Sequence, residues 1–143
     1  MVGYLVTYEL FILLLNALIC LGLPWIYNYA YAKQPGVGGK RLMGNRDMLP
    51  ERTGIAARGL RAHQNQLENL VPFAIIVLCA HVIGASNTVT IICATLFLIA
   101  RIAHAGFYIA GITRLRGVNG VRSIAYFISL FSMLVYAAQL FWH

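Results

Sequence analysis

The sequence predicts an all-α integral membrane protein whose chain crosses the bilayer four times as a helix bundle. Of the 143 residues, 60% are hydrophobic and only 10% are charged, whereas soluble domains are about half apolar and about a quarter charged. The mean hydropathy is +0.74, and four long apolar runs are separated by polar linkers. A chain so poor in charge cannot face water throughout, so lipid must surround much of it.

Each apolar run is long enough for one membrane crossing. A helix needs about 20 apolar residues to cross about 30 Å of hydrocarbon, and a backbone in lipid must satisfy its own hydrogen bonds. The runs lack the alternation of apolar and polar residues over segments of about 10 residues that is typical of membrane β-barrel strands. We therefore predict a single membrane domain over residues 1–143, with helices at about 4–27, 57–83, 88–110 and 118–141.

The first run is interpreted as a retained span rather than a cleaved signal peptide. Ala30-Tyr31-Ala32 is similar to a cleavage site. However, no Lys or Arg precedes the run, Glu9 interrupts it, and it exceeds the roughly 7–15 residues of a signal core.

The distribution of basic residues predicts which linkers face the cytoplasm. The formal net charge is +7, and residues 84–87, the second linker, carry none of it. Because cytoplasmic loops carry the Lys and Arg excess, both termini are expected on the non-cytoplasmic side. A basic loop beside a bilayer sets topology and contacts anionic lipid, so no nucleic-acid partner is expected. The basic residues of the first and third linkers and their edges are Lys33, Lys40, Arg41, Arg46, Arg52 and Arg58, and Arg114, Arg116 and Arg122.

No catalytic, phosphate-binding or metal-binding role is predicted for the glycine-rich stretch or the cysteines. The stretch 36–41 lacks the preceding strand and following helix of a phosphate-binding loop, so a flexible connector is predicted there. No metal site is expected, because its candidate ligands would come from opposed helix faces: His63, His104 and Glu68. The three cysteines lie apart in apolar helices and are interpreted as small buried core residues: Cys20, Cys79 and Cys93.

Polar side chains form stripes within three of the spans. Residues three or four positions apart share one face of a helix, and ionisable residues inside spans are functional hypotheses by default. The second span has such a stripe at Arg61, Asn65, Glu68 and Pro72. The third span has Arg101, His104 and Tyr108, and the fourth has Arg122, Tyr126 and Ser129, with Ser123 at the edge of the stripe.

The three stripes lie at similar depth. At about 1.5 Å per residue, they all occupy the cytoplasmic half of the bilayer, roughly 5 to 15 Å from its edge, which predicts one pocket entered from the cytosol. Three arginines and one glutamate leave an excess of positive charge, which is costly without an anion. We therefore expect a small anionic cytosolic ligand. Glu68 and Arg101 lie at matching depth and could form an ion pair, which would equally suit a structural role in helix packing.

The stripes resemble the motifs of a known family. The run 61–69, Arg-Ala-His-Gln-Asn-Gln-Leu-Glu-Asn, followed by Pro72-Phe73, resembles the second-helix motif of the MAPEG superfamily, the membrane-associated proteins of eicosanoid and glutathione metabolism. The run 101–104, Arg-Ile-Ala-His, with Tyr108, resembles the third-helix motif of microsomal glutathione transferase and microsomal prostaglandin E synthase. Arg122-Ser123 with Tyr126 is similar to the start of their fourth helix.

This resemblance implies a homotrimer of four-helix subunits that binds glutathione between neighbouring subunits near the cytosolic face. Arg122, with Ser123, would stabilise the glutathione thiolate, since a nearby cation lowers a thiol pKa from about 8.5. The thiolate would then attack a lipophilic electrophile or reduce a lipid hydroperoxide. The remaining site residues implied by the resemblance and by the stripes are Arg61, Asn65, Glu68, Arg101, His104, Tyr108 and Tyr126.

The chain departs from the family pattern in three places, one of them in the first linker, where an acidic residue that the prostaglandin synthase uses has no clear match. Family enzymes often carry an arginine at the cytosolic end of helix one, whereas residues 24–32 contain none. Gln64 stands where the prostaglandin synthase has a basic residue, which argues against prostaglandin isomerase activity. The predicted function is a membrane glutathione transferase, with or without peroxidase activity. A non-catalytic lipid- or partner-binding scaffold of the same family and a small transporter are the alternatives. Short termini without a retention signal favour a bacterial inner membrane over the endoplasmic reticulum.

Overall fold

The computed structural model describes residues 6–45 and 47–142, except for the side chain of Arg41. Its four long helices are α1 (Tyr8–Ala32), α3 (Gly54–Ile83), α4 (Thr88–Ala110) and α5 (Val121–Gln139). The linkers contain the short helix α2 (Gly38–Leu42) and the strands β1 (Arg114–Leu115) and β2 (Val118–Asn119). All four long helices are long and apolar enough to cross a membrane. The predicted fold class, a helical membrane protein with four spans, is thereby confirmed.

Local capping signals explain why the predicted boundary between α3 and α4 matches the structure. Gly84 ends α3 in the left-handed conformation, with φ 74°, which glycine adopts without steric cost. Asn87 caps α4 by accepting from the backbone N–H groups of Val89 and Thr90, and Thr90 Oγ1 accepts from the N–H of Asn87 in return. This capping box satisfies the free backbone donors of the first turn.

Helix α1 extends five residues beyond its predicted end at Tyr27. It continues through Pro24 to Ala32, although proline removes one backbone hydrogen bond within a helix. Tyr31 explains the extension, because it is buried in a small apolar cluster with Val37 and Ala56 and its hydroxyl donates to the carbonyl of Pro50. Burial against the first linker therefore keeps the last turn helical. Positions 4 and 5 of the predicted helix lie outside the described residues.

Both long linkers are more ordered than predicted. Residues 38–42 of the glycine-rich stretch form α2 instead of a plain connector. Residues 114–119 form an antiparallel hairpin in which Arg114 pairs with Asn119, so α5 begins at Val121 rather than at 118. Gly117 and Gly120 have φ values of 88° and 69°, a backbone region that favours glycine. Gly117 therefore lies in the turn of the hairpin, and Gly120 is the N-cap residue at which the chain passes from the hairpin into α5.

The core of the bundle lies around two stacked phenylalanines. The rings of Phe73 on α3 and Phe97 on α4 are 3.9 Å apart, and Tyr136 of α5 contacts Phe73 edge-on at 6.4 Å. Many large apolar side chains point outward along all four long helices, including Trp25 and Phe131, which suits a surface in contact with lipid. Cys20 and Cys93 are buried as predicted, whereas Cys79 is exposed; that part of the cysteine prediction is wrong.

Candidate functional site

A cavity of about 330 Å³ lies where α3, α4 and the first turns of α5 meet. It brings together six of the nine side chains that the sequence singled out. A seventh lining residue, Phe127, was not predicted. The six are Asn65, His104, Tyr108, Arg122, Ser123 and Tyr126.

Helical spacing builds the aromatic wall of this cavity. His104 and Tyr108 lie one turn apart on α4, with ring centroids 5.7 Å apart. The ring of Tyr126 on α5 lies 6.2 Å from His104, and Tyr126 follows Arg122 by one turn. The wall therefore holds two phenol rings and one imidazole, side chains that can both donate and accept hydrogen bonds.

Arg122 supplies the positive charge of the cavity. Its guanidinium carbon lies 4.7 Å from the centroid of the Tyr108 ring, a cation–π distance that fixes the side chain without consuming its N–H donors. Within residues 6–45 and 47–142 the structure shows no hydrogen bond or ion pair to Arg122, and no carboxylate lines the cavity. A half-buried guanidinium with free donors is suited to an anionic ligand.

Arg101 lies behind the cavity wall rather than in it. Its side chain is 0% exposed. Its Nε donates to Oε1 of Gln66 at 2.8 Å and its Nη1 to Oδ1 of Asn65 at 3.1 Å. Gln66 in turn donates to Asn16 of α1 at 3.4 Å. Arg101 therefore connects α4 to two further helices and holds the oxygen of Asn65, a residue that does line the cavity.

The suggested pairing of Glu68 with Arg101 is wrong. Glu68 is exposed, and among the described residues Arg101 is bonded to neutral amides instead. The reason is angular, because Glu68 follows Gln66 by two positions, about 200° around the helix. Gln66 is buried between the helices, whereas Glu68 lies exposed on the outer side of α3. Sequence reasoning overlooked Gln66 and Asn16, whose one signal was a polar amide within an apolar helix.

In the part of the chain that the structure describes, two buried nitrogens near the cavity lack a hydrogen-bond partner. They are Nη2 of Arg101 and Nδ1 of His104. Buried polar atoms nearly always have partners, so exceptions need an explanation. Together with Arg122, they make this end of the bundle rich in donors and positive charge.

Arg61 and Glu68 lie on the outside of the subunit and do not reach the cavity. Arg58 marks the level of the end of α4, since its Nε donates to the carbonyl of Ile109 at 2.9 Å. Arg61 follows Arg58 by three residues, so it lies slightly less than one helical turn deeper along α3, and its side chain is exposed. A single subunit therefore carries two unburied charges on a membrane-spanning helix.

A guanidinium does lie at the end of α1, where the sequence shows no arginine. Arg52, from the first linker, stacks 4.1 Å from the Tyr31 ring and 5.2 Å from the Tyr27 ring. Its Nη2 donates to Oδ1 of Asn28 at 3.1 Å. The sequence predicts for Arg52 only a role in topology, because nothing in the linear order connects it with residues 27–31.

Comparison with known families agrees with the motifs. A family model described as the MAPEG family matches residues 8–142. The matched range includes every residue of the cavity. No curated protein matches the chain.

Proposed function

The chain belongs to the MAPEG family, and we propose that it is a membrane-bound glutathione transferase. The family includes glutathione transferases as well as other members. One observation carries the proposal: Arg122 lies in a cavity with aromatic walls, and the described residues place neither a hydrogen-bond acceptor on its N–H groups nor a carboxylate in the cavity lining. Helix packing alone does not require such an arginine.

Glutathione fits the chemistry of this cavity. It is a small cytosolic anion with two carboxylates and one thiol, and the cavity offers the amide of Asn65 and the hydroxyls of Tyr108, Tyr126 and Ser123 to bind it. A cation beside the thiol favours its charged form and so lowers its pKa. We assign that role to Arg122, with the Ser123 hydroxyl as a second donor to the sulfur.

The reaction then proceeds by nucleophilic attack. The thiolate sulfur forms a bond to an electrophilic carbon of a lipophilic substrate, and the leaving group departs with the electron pair of the broken bond. Peroxidase activity would follow from the same thiolate: two glutathione molecules reduce one hydroperoxide to an alcohol and water and become the disulfide. Proton supply to the leaving oxygen suits a tyrosine hydroxyl of the cavity wall.

A homotrimer completes this proposal. Arg61 and Glu68 are exposed on one subunit, and charged side chains facing lipid are costly. A neighbouring copy packed against this face of α3 would cover both charges. The same packing would bring Arg61 and Glu68 to a glutathione site formed between subunits.

The bilayer orientation follows from the charges at the same end. The linkers next to the Arg122 cavity carry the basic residues, and cytoplasmic loops are the basic ones. We therefore place the cavity toward the cytoplasm, where glutathione is supplied, and both termini on the opposite side.

Ligand binding tests the proposal directly. Purified protein is titrated with glutathione by calorimetry while the ultraviolet absorbance of the thiolate is recorded, with S-methyl glutathione as the matched ligand that cannot ionise at sulfur. We expect both ligands to bind and only glutathione to produce the thiolate band at neutral pH. Turnover of an activated haloarene should accompany the band. Absence of glutathione binding would refute the transferase assignment.

The alternative is a non-catalytic scaffold of the same family, and one observation favours it. The buried network of Arg101, Gln66 and Asn16 holds three helices together, so part of the polar stripes does serve packing. A scaffold would bind lipid or a partner protein but would produce no thiolate band. The titration with the two glutathione ligands therefore separates the two functions.

A further inference from the structure

A second, smaller cavity lies at the end of the bundle opposite Arg122. Its volume is about 200 Å³, enough for a group of a few heavy atoms. The ends of α3 and α5 and the starts of α1 and α4 meet there. The side chains that bring polar atoms to it are Thr7, Glu9, His81, Ser86 and Tyr136.

Glu9 is the unusual member of this cavity. Its side chain is 2% exposed. Oε1 accepts from the hydroxyl of Thr90 at 2.6 Å and from that of Ser86 at 2.9 Å. Among the described residues, buried Oε2 has no hydrogen-bond partner. Oε1 is thus held by two hydroxyl groups of the protein, while Oε2 can accept a further donor.

The surroundings favour a positively charged donor. Among the residues that line the cavity there is no Lys or Arg. A buried carboxylate without a counter-charge is costly. The described residues contain no group of three or more His, Cys, Asp or Glu side chains that could hold a metal ion, which argues against a divalent cation.

The position of the cavity suggests where the cation comes from. Phe141 and Trp142 follow α5 at the same end of the bundle and are 84% and 80% exposed. Aromatic side chains of this kind concentrate at the level of the lipid head groups. The cavity therefore lies at the level of the lipid head groups, and the primary ammonium of an ethanolamine head group offers three N–H donors to oxygen acceptors.

We propose that this cavity binds a primary ammonium group whose N–H donates to Oε2 of Glu9. The ammonium belongs either to an ethanolamine lipid head group or to a free small amine. A quaternary ammonium has the same charge but no N–H, so it cannot make this bond. The site is independent of glutathione, because it lies at the other end of the molecule from Arg122.

The test compares head groups with identical acyl chains. Purified protein is placed in nanodiscs that contain equal amounts of phosphatidylethanolamine and phosphatidylcholine, and native mass spectrometry counts the lipids that stay bound. We expect phosphatidylethanolamine to be retained about tenfold more than phosphatidylcholine, the size of effect that one charged hydrogen bond produces. Glu9→Gln should abolish the preference. Glu51→Gln, which changes an exposed carboxylate in the first linker, should preserve it.

A second arm separates the two sources of the ammonium. In nanodiscs of phosphatidylcholine alone, thermal unfolding is followed with free ethanolamine, choline or Na⁺. Stabilisation by ethanolamine but not by choline supports the site with a soluble amine as its ligand, while lipid retention without this effect supports the head group. Equal retention of both lipids, a preference that survives in Glu9→Gln, or stabilisation by Na⁺ as large as by ethanolamine would each refute the proposal.

Two further measurements keep the proposal testable if Glu9→Gln does not fold. If Glu9→Gln does not fold, Tyr136→Phe removes a second polar group of the cavity and should weaken the lipid preference several-fold. Glutathione turnover of both variants should equal that of the unmodified protein, because neither residue is near Arg122. Loss of the lipid preference with intact turnover therefore identifies the Glu9 cavity, whatever the outcome for the transferase assignment.

Discussion

At the scale of single residues, two arginines in neighbouring helices have opposite surroundings. Arg122 faces a cavity, stacks on Tyr108 and has no described hydrogen-bond partner. Arg101 is fully buried and bonded to two amides. A cation with free donors can act on a ligand, whereas a cation whose donors hold helices acts on the fold. The two side chains should therefore differ in what their replacement changes.

Arg122→Ala should reduce turnover without unfolding the protein. Removing the nearby charge raises the pKa of the bound thiol, so less thiolate is present at neutral pH. We expect at least about a 10-fold loss of turnover, equivalent to about 1.4 kcal/mol of barrier, with partial recovery as the pH rises above the raised thiol pKa. Turnover against pH, at matched folded yield, measures this.

Arg114→Ala is the matched control for this variant. Arg114 is an exposed arginine in the neighbouring hairpin and does not line the cavity. It should leave both turnover and pH profile unchanged. An Arg122→Ala protein with full activity and an unaltered profile would show that another group stabilises the thiolate.

Gln66→Leu should destabilise the fold through Arg101. The substitution leaves the buried guanidinium with only the Asn65 oxygen as an acceptor, and an unsatisfied buried charged group costs about 2–3 kcal/mol. The double variant Gln66→Leu/Arg101→Met should recover part of the loss, because it removes the stranded charge. Denaturation curves of the unmodified protein, the two single variants Gln66→Leu and Arg101→Met, and the double variant give the coupling.

Gln64→Leu serves as the control on the same helix. Gln64 is exposed, so its replacement should change stability little. Strict additivity of Gln66→Leu and Arg101→Met would show that the bond between them has no energetic weight.

At the scale of helices, α1 and α3 pack through a close contact at Gly59. A Cβ atom added there would lie 2.7 Å from Cβ of Tyr27, a distance that real side chains do not adopt. Because Cβ of Tyr27 is fixed by its backbone, the two helices would have to move apart. The contact also positions Tyr27 beside Arg52, so it affects this end of α1 as a whole.

Gly59→Ala should therefore lower the free energy of unfolding by about 1–3 kcal/mol, the usual cost of overpacking. Gly106→Ala is the contrasting variant, because a Cβ at Gly106 in α4 meets nothing within 4 Å. It should be neutral or gain up to about 1 kcal/mol from helix propensity. Thermal unfolding followed by circular dichroism compares the two, and equal stability of both variants would contradict the close contact.

At the scale of the whole molecule, the exposed charges of α3 need a partner surface. Native mass spectrometry in mild detergent should show three copies of the chain. Glutathione that binds between subunits should also increase the trimer fraction, since a ligand present at 100 times its Kd stabilises the bound form by about 2.7 kcal/mol. A monomer in all mild detergents would count against both the trimer and the site between subunits.

The orientation of the whole molecule can be tested with single cysteines. In a background with Cys79 replaced by serine, Gly39→Cys in α2 should react with a membrane-impermeant thiol reagent from the cytoplasmic side. Thr88→Cys, at the start of α4, should react only from the opposite side. These expectations follow from the basic residues that flank the Arg122 end, and the reverse labelling pattern would invert the orientation.

Much of this architecture was predictable because it depends on local properties of the chain. The lengths of the apolar runs determine the four spans, because a backbone in lipid must satisfy its own hydrogen bonds. Gly84 and Asn87 define the boundary between α3 and α4. Likewise, one-turn spacing places His104 with Tyr108, and Arg122 with Tyr126, on shared faces. Their similar depth in the bilayer then indicates that these four residues meet, and all of them line the Arg122 cavity.

Other features depend on how the helices are rotated and joined, which linear spacing does not encode. From its position in an apolar run, Arg101 is already identifiable as a cation within a span, at the depth of polar residues on α3. Its partners are Gln66 and Asn65 rather than Glu68 because the rotation of α3 in the folded bundle selects which of its faces meets α4. Chain connectivity likewise brings Arg52 to the end of α1 and Ser86 and Thr90 to Glu9. Such contacts join residues distant in sequence, so only packing of the whole bundle can specify them.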